Sequence, residues 1–140
     1  MNLHRAIPVA LAFFAALTLV SCNRDNKPVV RTSTSESTFL WDARLDDDND
    51  VEEFEMLFRD PQAEVEVETI DLEGAVEIEI FDDDNDRIFA QRYDGPRNGR
   101  EIDIDESDFG EQGEWTIRIT TIGATGAVVI HIEPKWEQYE

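Results

Sequence analysis

The alternation of apolar and polar residues predicts β-strands over most of the chain from residue 39 onward. The segments with a period of two are residues 64–68, 76–80, 102–105, 115–120 and 128–133. In a strand every second side chain points to the same face, so each of these segments has one apolar and one polar face. Such strands are typical of antiparallel sheets with one solvated side. In residues 102–105, for example, Ile102 and Ile104 are expected to face the core.

Turn-forming residues separate these segments. Asp, Asn, Gly and Pro concentrate at residues 46–50, 60–61, 73–74, 82–86, 94–96, 98–99, 110–113 and 123–126. About eight short strands at this spacing predict an all-β domain, an antiparallel, jelly-roll-like β-sandwich over residues 39–136. Residues 137–140 form a polar tail.

Residues 50–58 allow two interpretations. They begin like a capped helix, but they also alternate with Phe54, Met56 and Phe58 on one side. Pro61 follows too soon for a helix of ordinary length, and no other segment is helical. The strand is therefore the favoured interpretation. Trp41 and Trp115 lie at apolar positions of strands and are expected in the core.

The N-terminal residues have the pattern of an export signal. Arg5 precedes an apolar run over residues 7–20, which is shorter than the roughly 20 residues of a membrane-spanning helix. Leu19-Val20-Ser21-Cys22 then resembles the lipobox of bacterial lipoproteins. The resemblance implies that residues 1–21 are removed as a signal peptide, and that lipidated Cys22 anchors the protein in the bacterial cell envelope. Asn23, where Asp would favour the inner membrane, makes the outer membrane the expected location.

Residues 22–38 comprise the lipidated Cys22 and a flexible tether in this interpretation. After the Cys the segment is polar, rich in Ser and Thr, and without periodicity. The domain is then expected to stay close to its membrane.

Residues 65–134 resemble a second group, the β-sandwich modules of the pre-peptidase C-terminal type. The residues that match are the alternating segment 76–81, the segment Gly113-Glu114-Trp115 and the Gly-led last strand from Gly126. This resemblance implies a non-catalytic accessory, targeting or binding module.

The charge of the chain is strongly negative. Twelve Lys and Arg stand against 33 Asp and Glu, a formal net charge of −21. No nucleic acid partner is expected, because phosphate contacts need a basic face. Acidity with little Lys is also typical of proteins from salt-loving bacteria. Salt adaptation and an acidic binding surface both remain open as explanations.

The sequence Asp-Asp-Asp-Asn-Asp occurs twice, at residues 46–50 and 82–86. Calcium binds oxygen ligands that often come from alternate positions of a loop. The candidate ligands at this spacing are Asp46, Asp48, Asp50, Asp82, Asp84 and Asp86. Arg87 and Tyr93 occupy positions that an EF-hand gives to Gly and Glu, so an EF-hand is excluded. The alternative is that these residues simply form turns in an acidic protein.

Few other residues suggest a chemistry. His131 has no nucleophile motif or further metal ligands to accompany it, so it is expected on the surface. Trp136 and Tyr139 form an aromatic pair that either covers the end of the sandwich or contacts a partner. Acidic pairs suited to glycoside hydrolysis are too common here to be specific.

The sequence therefore predicts a lipid-anchored, non-enzymatic envelope protein that acts as a binding or structural module. Its expected partners are the membrane, through Cys22, and an envelope protein or polysaccharide. The alternatives are a calcium-dependent adhesion or binding module, with Ca²⁺ held by the two Asp-rich loops, and a small envelope hydrolase.

Overall fold

The computed structural model describes residues 28–33 and 37–135, and these residues contain strands and no helix. The strands are β1 (Val29–Ser33), β2 (Thr38–Phe58), β3 (Ala63–Phe81), β4 (Arg87–Asp94), β5 (Arg100–Glu106) and β6 (Gly113–Pro134). They form one antiparallel sheet in the order β1-β2-β6-β3-β4, in which β5 also pairs with β3. None of the described residues belongs to a helix that could cross a membrane.

The sheet bends across its middle. β2, β6 and β3 are neighbours, and each loses its regular register near its centre, at residues 46–50, 123–126 and 71–74. These irregular segments lie side by side and form one line across the sheet. Along this line the sheet folds over on itself, because bulges increase the local bend and twist of a strand.

The bend divides the sheet into two half-sheets. The first half-sheet contains β1, β5 and residues 39–45 of β2, 64–70 of β3 and 127–134 of β6. The second contains β4 and residues 51–58 of β2, 75–81 of β3 and 116–122 of β6. The half-sheets face each other, since the rings of Phe39 in the first and Phe54 in the second have centroids 5.3 Å apart. The predicted antiparallel β-sandwich is confirmed.

Backbone conformations that few residues adopt make the bend possible. Gly74 has a φ of 74°, and a Cβ at this position would collide with the carbonyl oxygen of Gly123. Asp47 and Asp71 have φ values of 52° and 50°, a region that Asp tolerates better than most residues. Three predicted turns are therefore bends within continuous strands, and the described residues form fewer and longer strands than the eight expected.

The core lies between the half-sheets. Trp41 and Trp115 are buried as expected, and the Trp115 ring stacks on Phe58 with centroids 4.1 Å apart. Phe54, Met56 and Phe58 point inward from β2, so the strand interpretation of residues 50–58 is confirmed.

Part of the expected tether is ordered as a strand. Residues 29–33 form β1 and pair with residues 38–42 of β2. The polar, Ser/Thr-rich composition concealed this strand, whose only sequence signal is the pair Val29-Val30. The rest of the N-terminal prediction, including residues 1–21 and Cys22, lies outside the described residues.

Strand β5 has the opposite orientation from the one expected. Ile102 and Ile104 are 47% and 59% exposed, whereas Asp103 and Asp105 point towards the interior. The prediction that the isoleucines face the core is wrong. The inward carboxylates are tolerated because polar partners meet them there, beginning with Arg97, whose Nη1 lies 2.6 Å from Asp103 Oδ2.

Candidate functional site

A cleft of about 540 Å³ opens on the side of the sandwich where β2 passes from one half-sheet to the other. We call it the β2 cleft. Its apolar surface comes from Val30, Trp41, Leu45, Phe54 and Ile119. The volume is within the range of small-molecule sites, roughly 300–1,000 Å³, which commonly combine apolar walls with a few polar groups.

The polar surface of the β2 cleft is acidic. It comes from Asp48, Asp50, Glu52, Glu53 and Thr121. Within the described part of the chain, no Lys or Arg side chain lines this cleft. A group with negative charge would be repelled here, whereas a cation or a neutral hydrogen-bond donor would find acceptors.

Two contacts hold the acidic side chains in place. Trp41 Nε1 donates a hydrogen bond of 2.9 Å to Glu52 Oε2, which fixes this carboxylate beside the apolar floor. Arg118 lies outside the cleft and approaches Glu53 with Nε 2.8 Å from Oε1. Glu53 is therefore partly neutralised, while the other acidic groups give the cleft its charge.

The second Asp-rich pentapeptide is a turn that one carboxylate organises. Asp82 is buried, and its Oδ1 accepts hydrogen bonds from the backbone N–H groups of Asp84 and Asp86 at 3.1 and 2.8 Å. Its Oδ2 accepts a third bond, of 2.9 Å, from the N–H of Glu111. Both oxygens of Asp82 thus satisfy backbone donors, as Asp commonly does in turns.

The first pentapeptide has a different place in the fold, in the bend of β2. Asn49 Oδ1 accepts a 2.8 Å hydrogen bond from the N–H of Gly123, and Asp50 Oδ1 accepts one of 2.9 Å from Val51. The backbone N–H of Asp50 donates to Thr121 Oγ1 at 2.9 Å. Identical sequences therefore form a hairpin turn in one case and a strand bulge in the other.

The structure does not bring the six candidate calcium ligands together. Asp50, at the end of the first pentapeptide, pairs with Thr121 of β6, and Phe81, directly before the second pentapeptide, pairs with Thr116. The two pentapeptides are therefore separated by roughly 17 Å along β6. The described residues contain no group of three or more His, Cys, Asp or Glu side chains arranged to hold a metal ion. Calcium binding stays a prediction from the sequence.

A second polar cluster lies on the opposite side of the sandwich, between β4 and β5. Tyr93 donates a 3.3 Å hydrogen bond to Asp105, and the Arg97 guanidinium lies 5.8 Å from the centre of the Tyr93 ring. Burial, followed by the charge of Asp105, raises the pKa of Tyr93 well above its ordinary value of 10.0. Arg97 also pairs with Glu101 and Asp103. These groups satisfy one another and serve the structure.

One exposed carboxyl group, Glu114, has a raised pKa. Its protonated form is favoured by a side-chain hydrogen bond to Glu55 and by the negative charge of that residue. Both side chains lie on the outer face of the second half-sheet, away from the β2 cleft. A hydrolase would require such a pair inside a concave site, with the substrate between the two groups.

The remaining sequence candidates divide between surface positions and undescribed residues. His131 lies on the outer face of β6, partly exposed and 4.0 Å from Glu133, which fits the expected surface histidine. Trp136 and Tyr139 lie outside the described residues. The β2 cleft was not predicted from the sequence, although one signal was present. In the alternating pattern Glu52 lies on the same face as Phe54 and Met56, which is the face expected to be inward. A carboxylate on such a face needs a hydrogen-bond or ion-pair partner.

Comparisons with known proteins give a distant likeness. No family model and no curated protein matches the chain. Among solved structures, the chain is similar to one of CBM4, with 9% identity, a TM-score of 0.43, and coverage of 81% of this chain and 82% of that one.

It is also similar to the capsular polysaccharide assembling protein CapF from Staphylococcus aureus, with 11% identity and a TM-score of 0.40. That match covers 84% of this chain but only 31% of CapF. At these identities and TM-scores the likenesses assign no function.

Proposed function

We propose that this protein is a lipid-anchored, non-catalytic binding module of the bacterial envelope, and that the β2 cleft is its ligand site. The assignment of the ligand site is supported by the cleft itself, in which an apolar floor lies beside carboxylates. The lipobox-like sequence before Cys22 supports the anchor, with the outer membrane favoured.

The composition of the cleft defines what it can bind. The carboxylates of Asp48, Asp50 and Glu52 accept hydrogen bonds but cannot donate them when ionised. The ligand is therefore neutral or cationic, and it presents an apolar part to Leu45 and Ile119. An envelope protein or a polysaccharide without acidic groups meets these conditions, whereas nucleic acid does not.

The location of the acidic groups supports a non-catalytic role. Glu114, whose pKa is raised by the neighbouring Glu55, is exposed on an outer face. Asp82, the buried carboxylate of the turn, is occupied by backbone donors. Neither arrangement offers an acid and a base on two sides of an enclosed substrate.

The anchor is tested by expressing the full chain in a bacterial host fed a labelled palmitate analogue. We expect the wild-type chain to carry label and to fractionate with membranes, and Cys22→Ala to do neither. Label that persists in the Cys22→Ala variant would contradict the anchor.

The ligand site is tested by calorimetric titration of the chain with three kinds of ligand: neutral oligosaccharides, a Lys-rich peptide and an anionic polysaccharide. We expect one of the first two to bind and Phe54→Ala to weaken binding, because Phe54 forms a wall of the cleft. Phe109→Ala is the matched control, since Phe109 is 67% exposed and does not line the cleft. Equal loss in both variants, or binding of the anionic polymer alone, would count against the proposal.

A further inference from the structure

The second half of β2 is a free sheet edge beside the β2 cleft. β1 pairs only with residues 38–42 of β2, whereas β6 pairs with β2 on its other side as far as Phe58. Within the described ranges, residues 51–57 therefore have a strand neighbour on one side only. The N–H of Val51 is taken by Asp50 Oδ1, but unpaired N–H and C=O groups along the rest of such an edge can bond to a further strand.

This edge lacks two of the features that commonly block strand addition. Residues 51–58 contain no Pro, and their pairing with β6 proceeds without a bulge from Val51 opposite Thr120 to Phe58 opposite Gly113. Val51 is 57% exposed, so an apolar side chain is also available on the outer face.

The edge is charged, and the sign of the charge selects the partner. Glu55 points outward from the edge strand. Glu53 lies on the same face as Glu55 and also contributes to the surface of the β2 cleft, and Glu52 points into the cleft with its carboxylate fixed by Trp41. Asp48 and Asp50 continue the acidic surface towards the bend. A strand added here would place Lys or Arg side chains next to these carboxylates, where opposite charges attract.

A sugar fits this surface less well than a peptide does. Binding by stacking requires an open aromatic face, but Trp41 is only 2% exposed and the ring of Phe54 is engaged with Phe39 at 5.3 Å. The backbone edge, in contrast, offers hydrogen-bonding groups at the regular spacing of an extended peptide.

From these observations we infer that residues 51–57 bind a Lys/Arg-rich segment of another protein as an added β-strand. Its inward side chains enter the β2 cleft between Glu52 and Asp50. This inference rests on the proposed function, because it assigns the occupant of the same cleft.

The experiment uses the mature chain with Cys22→Ser and a peptide of alternating Lys and Val, equal in length to the edge. Calorimetry gives the Kd, and amide hydrogen exchange identifies the protected residues. We expect binding together with new protection within residues 51–57. Methylating the peptide backbone nitrogens, which removes its donors without changing its charge, is expected to weaken binding about tenfold or more.

A pair of double variants separates local from general electrostatics. Asp48→Asn with Glu52→Gln removes two charges from the cleft while keeping similar shapes, and is expected to weaken binding about tenfold. Glu64→Gln with Glu66→Gln removes the same charge from the first half-sheet and is expected to change the Kd less than about twofold. Equal weakening by both pairs would overturn the inference, since it would mean attraction by net charge only.

Other occupants of the edge give different results. The amides of residues 51–57 that bond to β6 are protected in the free protein, so the informative ones are those that face away from β6. Protection of these outward amides before peptide is added would mean that the chain itself or a second copy covers the edge, and would overturn the inference. Sedimentation then tells these two apart. Binding of neutral oligosaccharides in the cleft, without binding of the peptide, would overturn the inference while leaving the proposed function in place.

Discussion

At the scale of single residues, hydrogen bonding explains the position of the best-defined acidic side chain. Asp82, in the turn between β3 and β4, accepts hydrogen bonds from three backbone N–H groups, those of Asp84 and Asp86 in the same turn and that of Glu111 just before β6. Asp46 occupies the same position in the other pentapeptide but is exposed. The repeated sequence suggested one shared role, and only the surroundings of each copy, which local sequence does not encode, distinguish them.

Asp82→Ala is expected to destabilise the fold by about 2–4 kcal/mol, because three backbone N–H groups would lose a charged acceptor, and hydrogen bonds to such an acceptor contribute roughly 1.5–3 kcal/mol. Asp46→Ala is the matched control, with an expected change within about 0.5 kcal/mol. Urea unfolding of both variants measures the difference. Similar losses in both would show that the hydrogen bonds of Asp82 contribute little.

The raised pKa of Tyr93 predicts that the protein loses stability at alkaline pH. Below pH 10 the phenol is neutral in both the folded and unfolded states, so its contribution to stability is fully present. Above the ordinary pKa of 10.0 the unfolded phenol ionises while the folded one, whose pKa is raised, does not. Stability is therefore lost as the pH rises towards the folded pKa. Unfolding titrations from pH 9 to 11 should show a falling free energy in the wild type and a flatter one in Tyr93→Phe. Parallel slopes would be inconsistent with this assignment.

At the scale of strands, alternation predicted most of the sheet but not its connectivity. Val65, Ile78 and Ile130 are buried as their parity indicates. Residues 46–50, 73–74 and 123–126 look like ends of strands because turns and bulges use the same residue types. For β5 the alternation predicted the wrong inward face. The pairing with β3, which is distant in sequence, and the ion pair between Arg97 and Asp103 determine which face of that strand is inward.

The bend requires glycine at position 74 because a Cβ there would collide with β6. This steric effect can be measured separately from the effect of the positive φ angle. Gly74 and Gly99 both have a φ of 74°, but a Cβ at Gly99 would meet nothing within 4 Å, whereas one at Gly74 would collide with the backbone of Gly123. Gly99→Ala should cost only the penalty of the left-handed conformation, about 1–2 kcal/mol. Gly74→Ala should cost about 1–3 kcal/mol more, through displacement of β6. Thermal unfolding checks both, and equal costs would argue against close packing at the bend.

At the scale of the whole molecule, unpaired negative charge is the largest electrostatic feature. The chain has 12 basic and 33 acidic residues, and among the residues that the structure describes most carboxylates have no cationic partner. Arg87, Arg92, Arg100 and Arg118 each pair with a neighbouring acid, yet these pairs lie at the surface, where each contributes little. Repulsion among the remaining acids therefore opposes folding and weakens as salt shortens its range.

This balance predicts that the melting temperature follows ionic strength. The screening length falls from about 30 Å at 0.01 M to about 3 Å at 1 M salt, and each kcal/mol of relieved repulsion should raise the melting temperature by about 4 °C. At matched ionic strength we expect calcium and magnesium to have equal effects, since the two pentapeptides lie apart and Asp82 is occupied. Calorimetric scans in sodium chloride, calcium, magnesium and EDTA test this expectation.

A higher melting temperature produced by submillimolar calcium alone would instead indicate a specific calcium site. Asp84→Asn with Asp86→Asn then locates it, because both side chains are exposed and the exchange leaves the three hydrogen bonds of Asp82 in place.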